Sequence, residues 1–531
     1  RGGEESVRDP VESPAPDSLE EEGTTSLIVA LPGADLHQYR RQTLFGFYVQ
    51  DNYRVNSSLQ LNLGLRYEFA PRVRELLGRF PFLSDPTRDS VTQTGPFFTK
   101  DNPSLLNFAP RLGIRWSPWN DQGPVLSAGF GIYYDQLLAS TVPNRRAVSP
   151  FLRLVVRTNF DSSATFPDAI AAAVGQPFQQ HILDYENFAN PMMLRYHFSV
   201  QQQLLGGWQV QASYVGARNN HLYRGYEANR FPLPVTRPDG SLFFPPRHSQ
   251  INPAFDSINI VTSDAQSFYN ALQVSMNKAF DQGIFLQANY TYSKSVDDAS
   301  RVSGIFHPDS SSQYGLMRTL DRGLSDFDIR HRLAINYFYT FPFGKTQRWW
   351  NSGFLAHLFG DWRLGGILTF RSGIPITPQV NIRTPGYLFV PSRPSLIPSQ
   401  SNNPVKGFTA GCVGVKDGQE LGTRDLYFDP CVFDVPSEGT LGTAGRNTII
   451  APNVFNFDVS LQKDFLLDSK RRLQFRAEFF NLLNHTNFGE NRGGSVIIFS
   501  GSPARRNATA GRIGSTATTA RQIQFALRFS F

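Results

Sequence analysis

Apolar and polar residues alternate strictly in many segments of this chain. The last segment shows the pattern most clearly, because apolar residues occupy every second position from Ile523 to Phe531 and mostly polar residues lie between them. Successive side chains of a β-strand point to opposite faces, so each such segment predicts a strand with one apolar and one polar face. Thirteen strands are predicted, at residues 44–53, 59–69, 105–117, 125–136, 192–204, 208–217, 268–279, 284–294, 328–341, 361–371, 453–464, 471–483 and 520–531.

The connections between these strands differ in length at the two ends. Short turns such as 54–58, 204–207 and 279–283 alternate with long links at 70–104, 137–191, 218–267, 295–327, 372–452 and 484–519. A soluble sandwich has no reason to sort its loops by end, whereas an outer-membrane barrel has short periplasmic turns and long exterior loops. The sequence therefore predicts an all-β fold, a transmembrane antiparallel β-barrel with 13 or more strands in the outer membrane of a Gram-negative-type bacterium.

Loop length also predicts the direction of each strand. The first strand runs toward a short turn, and the last strand, which ends at Phe531, runs the same way, so both descend to the periplasm. An even-stranded antiparallel barrel cannot begin and end on descending strands. A hairpin within 372–452 would add two strands and leave the number of strands odd. We therefore expect further strands upstream.

The first 40 residues differ from the rest. They start at Arg1 rather than Met, are acidic and rich in Pro, and contain no secretory signal pattern. We interpret residues 1–40 as a loop or the remnant of an upstream region and residues 41–531 as the barrel domain. The chain is accordingly interpreted as processed or as a fragment.

Aromatic residues cluster near the predicted strand ends. Outer-membrane barrels carry aromatic girdles at both membrane interfaces, so this placement agrees with a bilayer, and the partner it implies is outer-membrane lipid. For any single ring, cross-strand packing in a soluble sheet is an equally good explanation. The residues concerned are Trp116, Trp119, Tyr133, Tyr134, Trp208, Tyr290, Tyr292, Trp349, Trp350 and Trp362.

Composition excludes several classes of protein. The 45 Phe and 19 Tyr are too many for a disordered chain, and the 43 Gly and 36 Pro are too many for a helical bundle. The mean hydropathy of -0.30 and the lack of an 18-residue apolar run exclude transmembrane helices. The net charge of +7 is spread along the chain without a basic block, so nucleic acid is not expected as a partner.

The two cysteines, Cys412 and Cys431, lie in a segment rich in Gly and Asp. Their spacing and the lack of other thiols favour one disulfide that closes a surface loop, which implies an oxidising compartment. Two free thiols are the alternative. A zinc site has little support, because the chain has no CxxC and the nearest histidines are distant in sequence.

No motif predicts a catalytic, cofactor or metal site, so we expect that the protein is not an enzyme. The densest group of charges is DRGLSDFDIRHR, which contains Asp326, Asp328, Arg330, His331 and Arg332. Alternation places His331 on the apolar face and the arginines on the polar face. A charge ladder along the barrel interior is therefore favoured over a cation site, and the same interpretation covers Arg476 and Glu478.

Ligand recognition is expected on the long loops, because loops carry binding residues on a rigid scaffold. Two stretches, NNHLYRGYEANRF (219–231) and DLYFDPCVFD (425–434), offer aromatic rings for stacking on a sugar or an aromatic ligand. Loop packing is the alternative explanation for these rings. No single residue is assigned to the unknown extracellular ligand.

Several phrases resemble the Oar-like subgroup of TonB-dependent outer-membrane receptors. They include FGFYVQDNYRVNSSLQLNLGLRYEF, NFAPRLGIRWSP, SYVGARNNHLYRG, YNALQVSMNKAF, YTYSKSVDDAS, DIRHRLAINYFYTFPFG, LQFRAEFFNLLNHTNFG and GRIGSTATTARQIQFALRFSF, and together they cover about residues 40–531. The resemblance implies a 22-stranded barrel with an internal plug, energised by the TonB complex. No plug-like segment or TonB box precedes residue 40, so that contact is expected through a region outside this sequence.

The closing alternation also resembles the C-terminal signal that the barrel-assembly machinery recognises. Phe525, Leu527, Phe529 and Phe531 carry this resemblance, and a last strand that merely ends in Phe is the alternative.

The resemblance implies uptake of an unidentified nutrient. The alternatives are a surface barrel with an adhesion, envelope-organising or secretion role, and a secreted soluble β-rich enzyme or lectin. The soluble alternative predicts no difference in loop length between strand ends, contrary to the pattern in this chain.

Overall fold

The computed structural model describes most of the chain. The described residues are 26–30, 37–119, 123–138, 150–151, 154–158, 178–230, 233–238, 241–246, 250–281, 283–300, 313–344, 349, 352–382, 393–467, 471–490 and 493–531. Trp350 and most of the 1–40 segment lie outside them.

Thirteen strands follow one another in a single antiparallel path, each paired with the next. All thirteen predicted strands are confirmed, and most of their bounds agree within three residues. They are β1 (Phe45–Arg54), β2 (Leu59–Phe69), β3 (Phe108–Trp116), β4 (Val125–Tyr134), β5 (Met192–Leu204), β6 (Trp208–Glu227), β7 (Phe255–Asp281), β8 (Ile284–Asp297), β9 (His331–Thr340), β10 (Trp362–Arg371), β11 (Val454–Leu466), β12 (Arg472–Phe480) and β13 (Gln522–Ser530).

The two ends of this path are edges of the sheet. Within the described part of the chain, β1 pairs only with β2 and β13 pairs only with β12. Every residue of β1 is exposed, as is nearly every residue of β13.

The register keeps most apolar positions of the strands on one face of the sheet. Leu63 of β2 is opposite Leu112 of β3, and Ala288 of β8 is opposite Ile335 of β9. The alternate positions form a polar face, which is the interior face of an outer-membrane barrel. Tyr133 is a correction to the predicted girdle, because it shares the polar face with Gly131 and Arg111. We call this polar face the inner wall.

Two strands extend further than the alternation predicts. The prediction ended β6 at 217 and began β7 at 268, whereas the paired strands continue to Glu227 and from Phe255. The thirteen strands pair antiparallel as predicted, and beyond the predicted strands Phe178–Leu183 pairs in parallel with the extension of β7. A second parallel pair joins Gln379–Ile382 to Ile497–Gly501 among the loops.

Short elements occupy the connections. Among the described residues of the link 341–361, a helix, α1 (Gly353–Phe359), lies at the turn end of the sheet, so that link is longer than the short turns predicted there. No helix among the described residues has the length and apolar character needed to cross a bilayer. The 3-10 turns are Leu205–Gly207, Arg318–Asp321, Pro430–Val432 and Gly493–Val496. The remaining strands are Ser26–Ala30, Arg40–Arg41, Arg74–Glu75, Phe80–Phe82, Gln93–Gly95, Leu154–Thr158, Phe178–Leu183, Val235–Thr236, Leu242–Phe243, Gly323–Leu324, Pro375–Ile376, Gln379–Ile382, Ser395–Leu396, Phe433–Asp434, Ile449–Ile450, Ile497–Gly501 and Arg505–Arg506.

The buried apolar residues lie mainly in the long loops, not in the sheet. Phe80, Phe98, Phe244, Phe428 and Phe433 are all fully buried, and each belongs to a long connection. The sheet exposes large apolar side chains on its apolar face, as a surface covered by lipid does.

Candidate functional site

The described parts of the long loops include two large packed clusters at the exterior end of the sheet. The first cluster joins the loop 70–107, the segment 178–190 and the extended ends of β6 and β7, with a core that includes Phe80, Phe98 and Phe188. The second joins the loops 372–453 and 481–521, around Phe428, Phe433 and Ile498. Loops with their own buried cores hold side chains in fixed positions, as a binding surface requires.

Two buried arginines connect the second cluster to the end of β8 and to the loop that follows β8. Arg446 forms an ion pair with Asp297 at the end of β8, and Arg393 Nη2 lies 2.9 Å from Asp321 Oδ1. Both arginine side chains are only 1% exposed. Because a buried charge is stable only with a partner, these pairs fix the position of the loop 372–453 on the barrel.

The charged segment DRGLSDFDIRHR forms much of this attachment. The Asp321 carboxylate accepts a hydrogen bond from Arg393, and the Asp326 carboxylate accepts one of 2.7 Å from the side chain of Asn447. Asp328 accepts a hydrogen bond from Ser295 N at 2.6 Å and lies 3.6 Å from Arg330.

The other charged residues singled out from sequence also have neighbours in the sheet. The Tyr290 hydroxyl and His331 Nδ1 are 2.9 Å apart on the apolar face, and Arg332 pairs in register with Thr291. Arg476 Nε lies 3.6 Å from Glu478 Oε1. Among the described residues, no group of three or more His, Cys, Asp or Glu is placed to hold a metal ion.

Cys412 and Cys431 form a disulfide in the second cluster, with their Cα atoms 5.6 Å apart. The bond closes the segment 412–431, which carries the exposed side chain of Val413, and the exposed Phe408 lies four residues before it. Asp429 accepts hydrogen bonds from Cys431 N and from the Thr409 hydroxyl, both at 2.9 Å, so the two ends of the segment are also joined by polar contacts.

The two aromatic stretches proposed for ligand stacking are packed instead. Tyr427, Phe428 and Phe433 belong to the second core, and Phe428 and Phe433 are fully buried. In the other stretch, the ring of Tyr223 packs against that of Phe188, with ring centroids 5.1 Å apart. Of the two explanations, loop packing is therefore the correct one for these rings; Phe231 lies outside the described residues.

A cavity of about 420 Å³ lies where β4, β5 and β6 reach the exterior. We call it the mouth cavity. Its wall combines aromatic rings, thioethers, an amide and one carboxylate, and its size falls within the range of small-molecule sites. The lining residues are Tyr133, Tyr134, Asp135, Pro191, Met192, Met193, Asn219, Leu222, Tyr223, Ala299 and Ser300.

Tyr223 lines the mouth cavity, but its hydroxyl is not exposed there. The oxygen is fully buried and has no hydrogen-bond partner among the described atoms. Burial, together with the negative charge of Asp135, raises the pKa of Tyr223, so the hydroxyl stays protonated. The carboxylate of the cavity wall belongs to Asp135, which is exposed.

Sequence reasoning missed the mouth cavity as a whole. Its lining comes from four separate segments, near 133–135, 191–193, 219–223 and 299–300. The available signal was the cluster of Tyr133, Tyr134 and Asp135 at the end of a predicted strand, and we assigned those rings to the membrane girdle.

Glu227 gives the first cluster a dependence on pH. Glu227 lies beyond the part of β6 that is predicted to span the membrane. Its Oε1 accepts hydrogen bonds from Asn229 N at 2.7 Å and from Ile258 N at 3.0 Å. Burial raises the pKa of Glu227 to about 7, although these hydrogen bonds and nearby Arg230 act in the opposite direction and Asp256 reinforces the rise.

We expect the first cluster to become less stable as pH rises from about 4.5 to about 7. In this pH range Glu227 keeps its proton in the folded state, whereas the unfolded chain releases it. The free energy of unfolding of the cluster therefore falls by up to about 3 kcal/mol and remains lower above pH 7. Glu227→Gln keeps an acceptor oxygen and should remove the dependence. Hydrogen exchange of 222–230 and 255–262, corrected for the intrinsic rate, measures the change; equal pH dependence in both proteins would contradict it.

A sequence profile described as an outer membrane beta barrel domain matches residues 29–524. The chain belongs to this family. The membership agrees with the thirteen-strand sheet and its exposed apolar face, and it places the protein in the outer membrane of a Gram-negative-type bacterium.

Solved structures with a similar fold come from outer-membrane proteins of three bacteria. The outer membrane transporter YddB from Escherichia coli is 11% identical over 92% of this chain and 45% of its own, with a TM-score of 0.46. The ferripyoverdine receptor of Pseudomonas aeruginosa is 12% identical over 93% of this chain and 39% of its own, with a TM-score of 0.41. The FrpB iron transporter from Neisseria meningitidis is 9% identical over 93% of this chain and 46% of its own, with a TM-score of 0.39.

This outer-membrane barrel spans less than half the length of each of these proteins. The similarities are too distant to indicate a ligand or an activity. No curated protein matches the sequence.

Proposed function

We propose that this outer-membrane barrel is a receptor that binds a nutrient at the cell surface and takes it up with energy from the TonB complex. The observation that carries the proposal is the mouth cavity, which lies at the exterior end of the polar inner wall and is lined by aromatic rings, thioethers and the Asp135 carboxylate. A ligand held there is already at the entrance to the barrel interior. The phrases that resemble the Oar-like subgroup support the same function, and they support membership of that subgroup.

Uptake is tested in cells that carry or lack the complete gene, each with and without functional TonB. Mass spectrometry of the growth medium measures which compounds disappear. We expect at least one compound to be depleted only when both the gene and TonB are present. Equal depletion in all four strains would contradict the proposal.

A surface role without transport is the second candidate. The observation that favours it is an exposed apolar tip beside the Cys412–Cys431 disulfide, where Phe408, just before the bond, is 71% exposed and Val413 is 88% exposed, on a cluster with its own core. A rigid apolar tip suits contact with another surface. Loss of cell attachment after Phe408→Ser and Val413→Ser, with no change in compound depletion, would favour this role.

We also propose that the C-terminal residues are recognised by the barrel-assembly machinery. Phe525, Leu527 and Phe529 share the apolar face of the edge strand β13, and Phe531 is 94% exposed. An exposed edge with a terminal aromatic residue is available for strand addition. Deleting Phe531 is expected to lower the amount of folded barrel in the outer membrane several-fold, read as the heat-modifiable band on gels. An unchanged band would contradict the proposal.

A further inference from the structure

A patch of the inner wall combines unpaired positive charge with glycine. The register places Gln50, Gly64, Arg111, Gly131 and Arg195 side by side across β1 to β5. The next row toward the turns contains Asn62, Gly113, Gly129 and His197. Since neighbouring strands are about 4.8 Å apart, the backbones of Arg111 and Arg195 are separated by about 10 Å, with Gly131 between them.

The glycines make this part of the wall concave. A Cβ atom at Gly129 would lie 2.4 Å from the imidazole of His197, so that ring lies against the bare backbone. A Cβ at Gly131 would lie 3.0 Å from the ring of Tyr133, and the guanidinium of Arg111 lies 4.7 Å from the centroid of that ring. The ring of Tyr133 therefore lies beside Arg111 at a cavity of about 430 Å³, which Arg195 and His197 also line.

The positive charge of the patch is not neutralised by the wall. Arg66 is paired with Glu68 at 2.5 Å, and Arg476 lies 3.6 Å from Glu478. Among the described residues, neither Arg111 nor Arg195 has a carboxylate within ion-pair distance, and none lines the cavity. Unpaired cations that border a concave polar site attract an anion.

We propose that this patch, the inner-wall anion site, binds an oxyanion group of a small solute, a phosphate or a carboxylate. Guanidinium groups form paired, charge-assisted hydrogen bonds with both kinds of group. The amides of Gln50 and Asn62 add donors to the same cavity. Tyr133 lines both this cavity and the mouth cavity, so the two sites are adjacent along the wall. The inference deepens the proposed function and rests on it for the source of the solute, whereas binding needs only the folded wall.

The test uses the full chain folded in detergent micelles, with inorganic phosphate and malonate as probes. Isothermal titration at constant ionic strength, set with chloride, measures affinity. We expect saturable binding of at least one probe, and the tighter probe identifies the preferred group. Arg111→Gln and Arg195→Gln should each weaken binding about tenfold or more, because each removes a charge-assisted contact. Arg476→Gln is the matched control on the same face and should leave affinity unchanged.

A second variant tests the shape of the site without changing its charge. A Cβ atom at Gly64 would lie 3.7 Å from the nearest neighbouring atom, which is ordinary van der Waals contact. Gly64→Leu can therefore fold, and its side chain would occupy the cavity. Heat-modifiability on gels checks folding, and we expect folded Gly64→Leu to lose binding. Absence of saturable binding, equal weakening by Arg476→Gln, or full binding by Gly64→Leu would each overturn the site. Binding in micelles without uptake in cells would contradict the proposed transport alone.

Discussion

Replacing Arg446 with Met is expected to release the loop 372–453 from the barrel. The guanidinium of Arg446 donates to the Asp297 carboxylate and, at 2.8 Å, to the Asp297 carbonyl, and the two side chains are 1% and 2% exposed. Met fills a similar volume but leaves the Asp297 charge buried without its partner. The free energy that holds the loop 372–453 on the barrel should fall by about 3–5 kcal/mol, which is typical of breaking a buried ion pair.

Hydrogen exchange of 393–453 in the folded barrel measures this loss. The control is Arg88→Met, because Arg88 is 86% exposed and 3.7 Å from Asp85, where a surface pair contributes only about 0–1 kcal/mol. Adding Asp297→Leu to Arg446→Met removes the orphaned charge and should restore part of the protection. Protection of the loop that is unchanged by Arg446→Met would show that its core alone holds it in place.

The strands were predictable because lipid and water impose a period of two. Along β2, for example, Leu59 to Phe69 alternates without interruption, and the predicted bounds equal the observed ones. Outside the membrane this constraint ends, because protein covers both faces of a strand. The missed half of β6 begins where the pairing with β7 shifts register between Asn219 and Arg224, and His221 there has φ 58°. Such a bulge changes which face each following residue occupies, so the sequence pattern breaks while the strand continues.

The site was far less predictable than the strands. The partners that hold the loops are distant in sequence: Arg446 and Asp297 are separated by 149 residues, and Arg393 and Asp321 by 72. The charges of the segment at 321–332 were visible, but nothing local identifies their partners. Aromatic stretches such as 425–434 look alike whether their rings stack on a ligand or form a core. Only the fold distinguishes the two, since it shows Phe428 to be fully buried.

Two neighbouring substitutions in β8 provide the sharpest test of the membrane assignment. Ala288 lies near the middle of the predicted span 284–294, on the apolar face, opposite Met276 and Ile335. Asn289 is the next residue and lies on the polar face, opposite Ser275 and Ala334. Ala288→Arg places a charge in the hydrocarbon and should destabilise the barrel by about 2–4 kcal/mol, whereas Asn289→Arg enters the barrel interior and should cost less than about 1 kcal/mol.

Urea unfolding in lipid vesicles, followed by heat-modifiability on gels, measures both variants. They add the same side chain at adjacent positions of one strand, so strand propensity and expression affect them alike. The difference between them therefore reports which face contacts lipid. If both variants were equally stable, or if Asn289→Arg were the more damaging, the apolar face would not be the lipid-contacting surface. The inner wall, with its arginines and glycines, would then lose its assignment as the interior of a barrel.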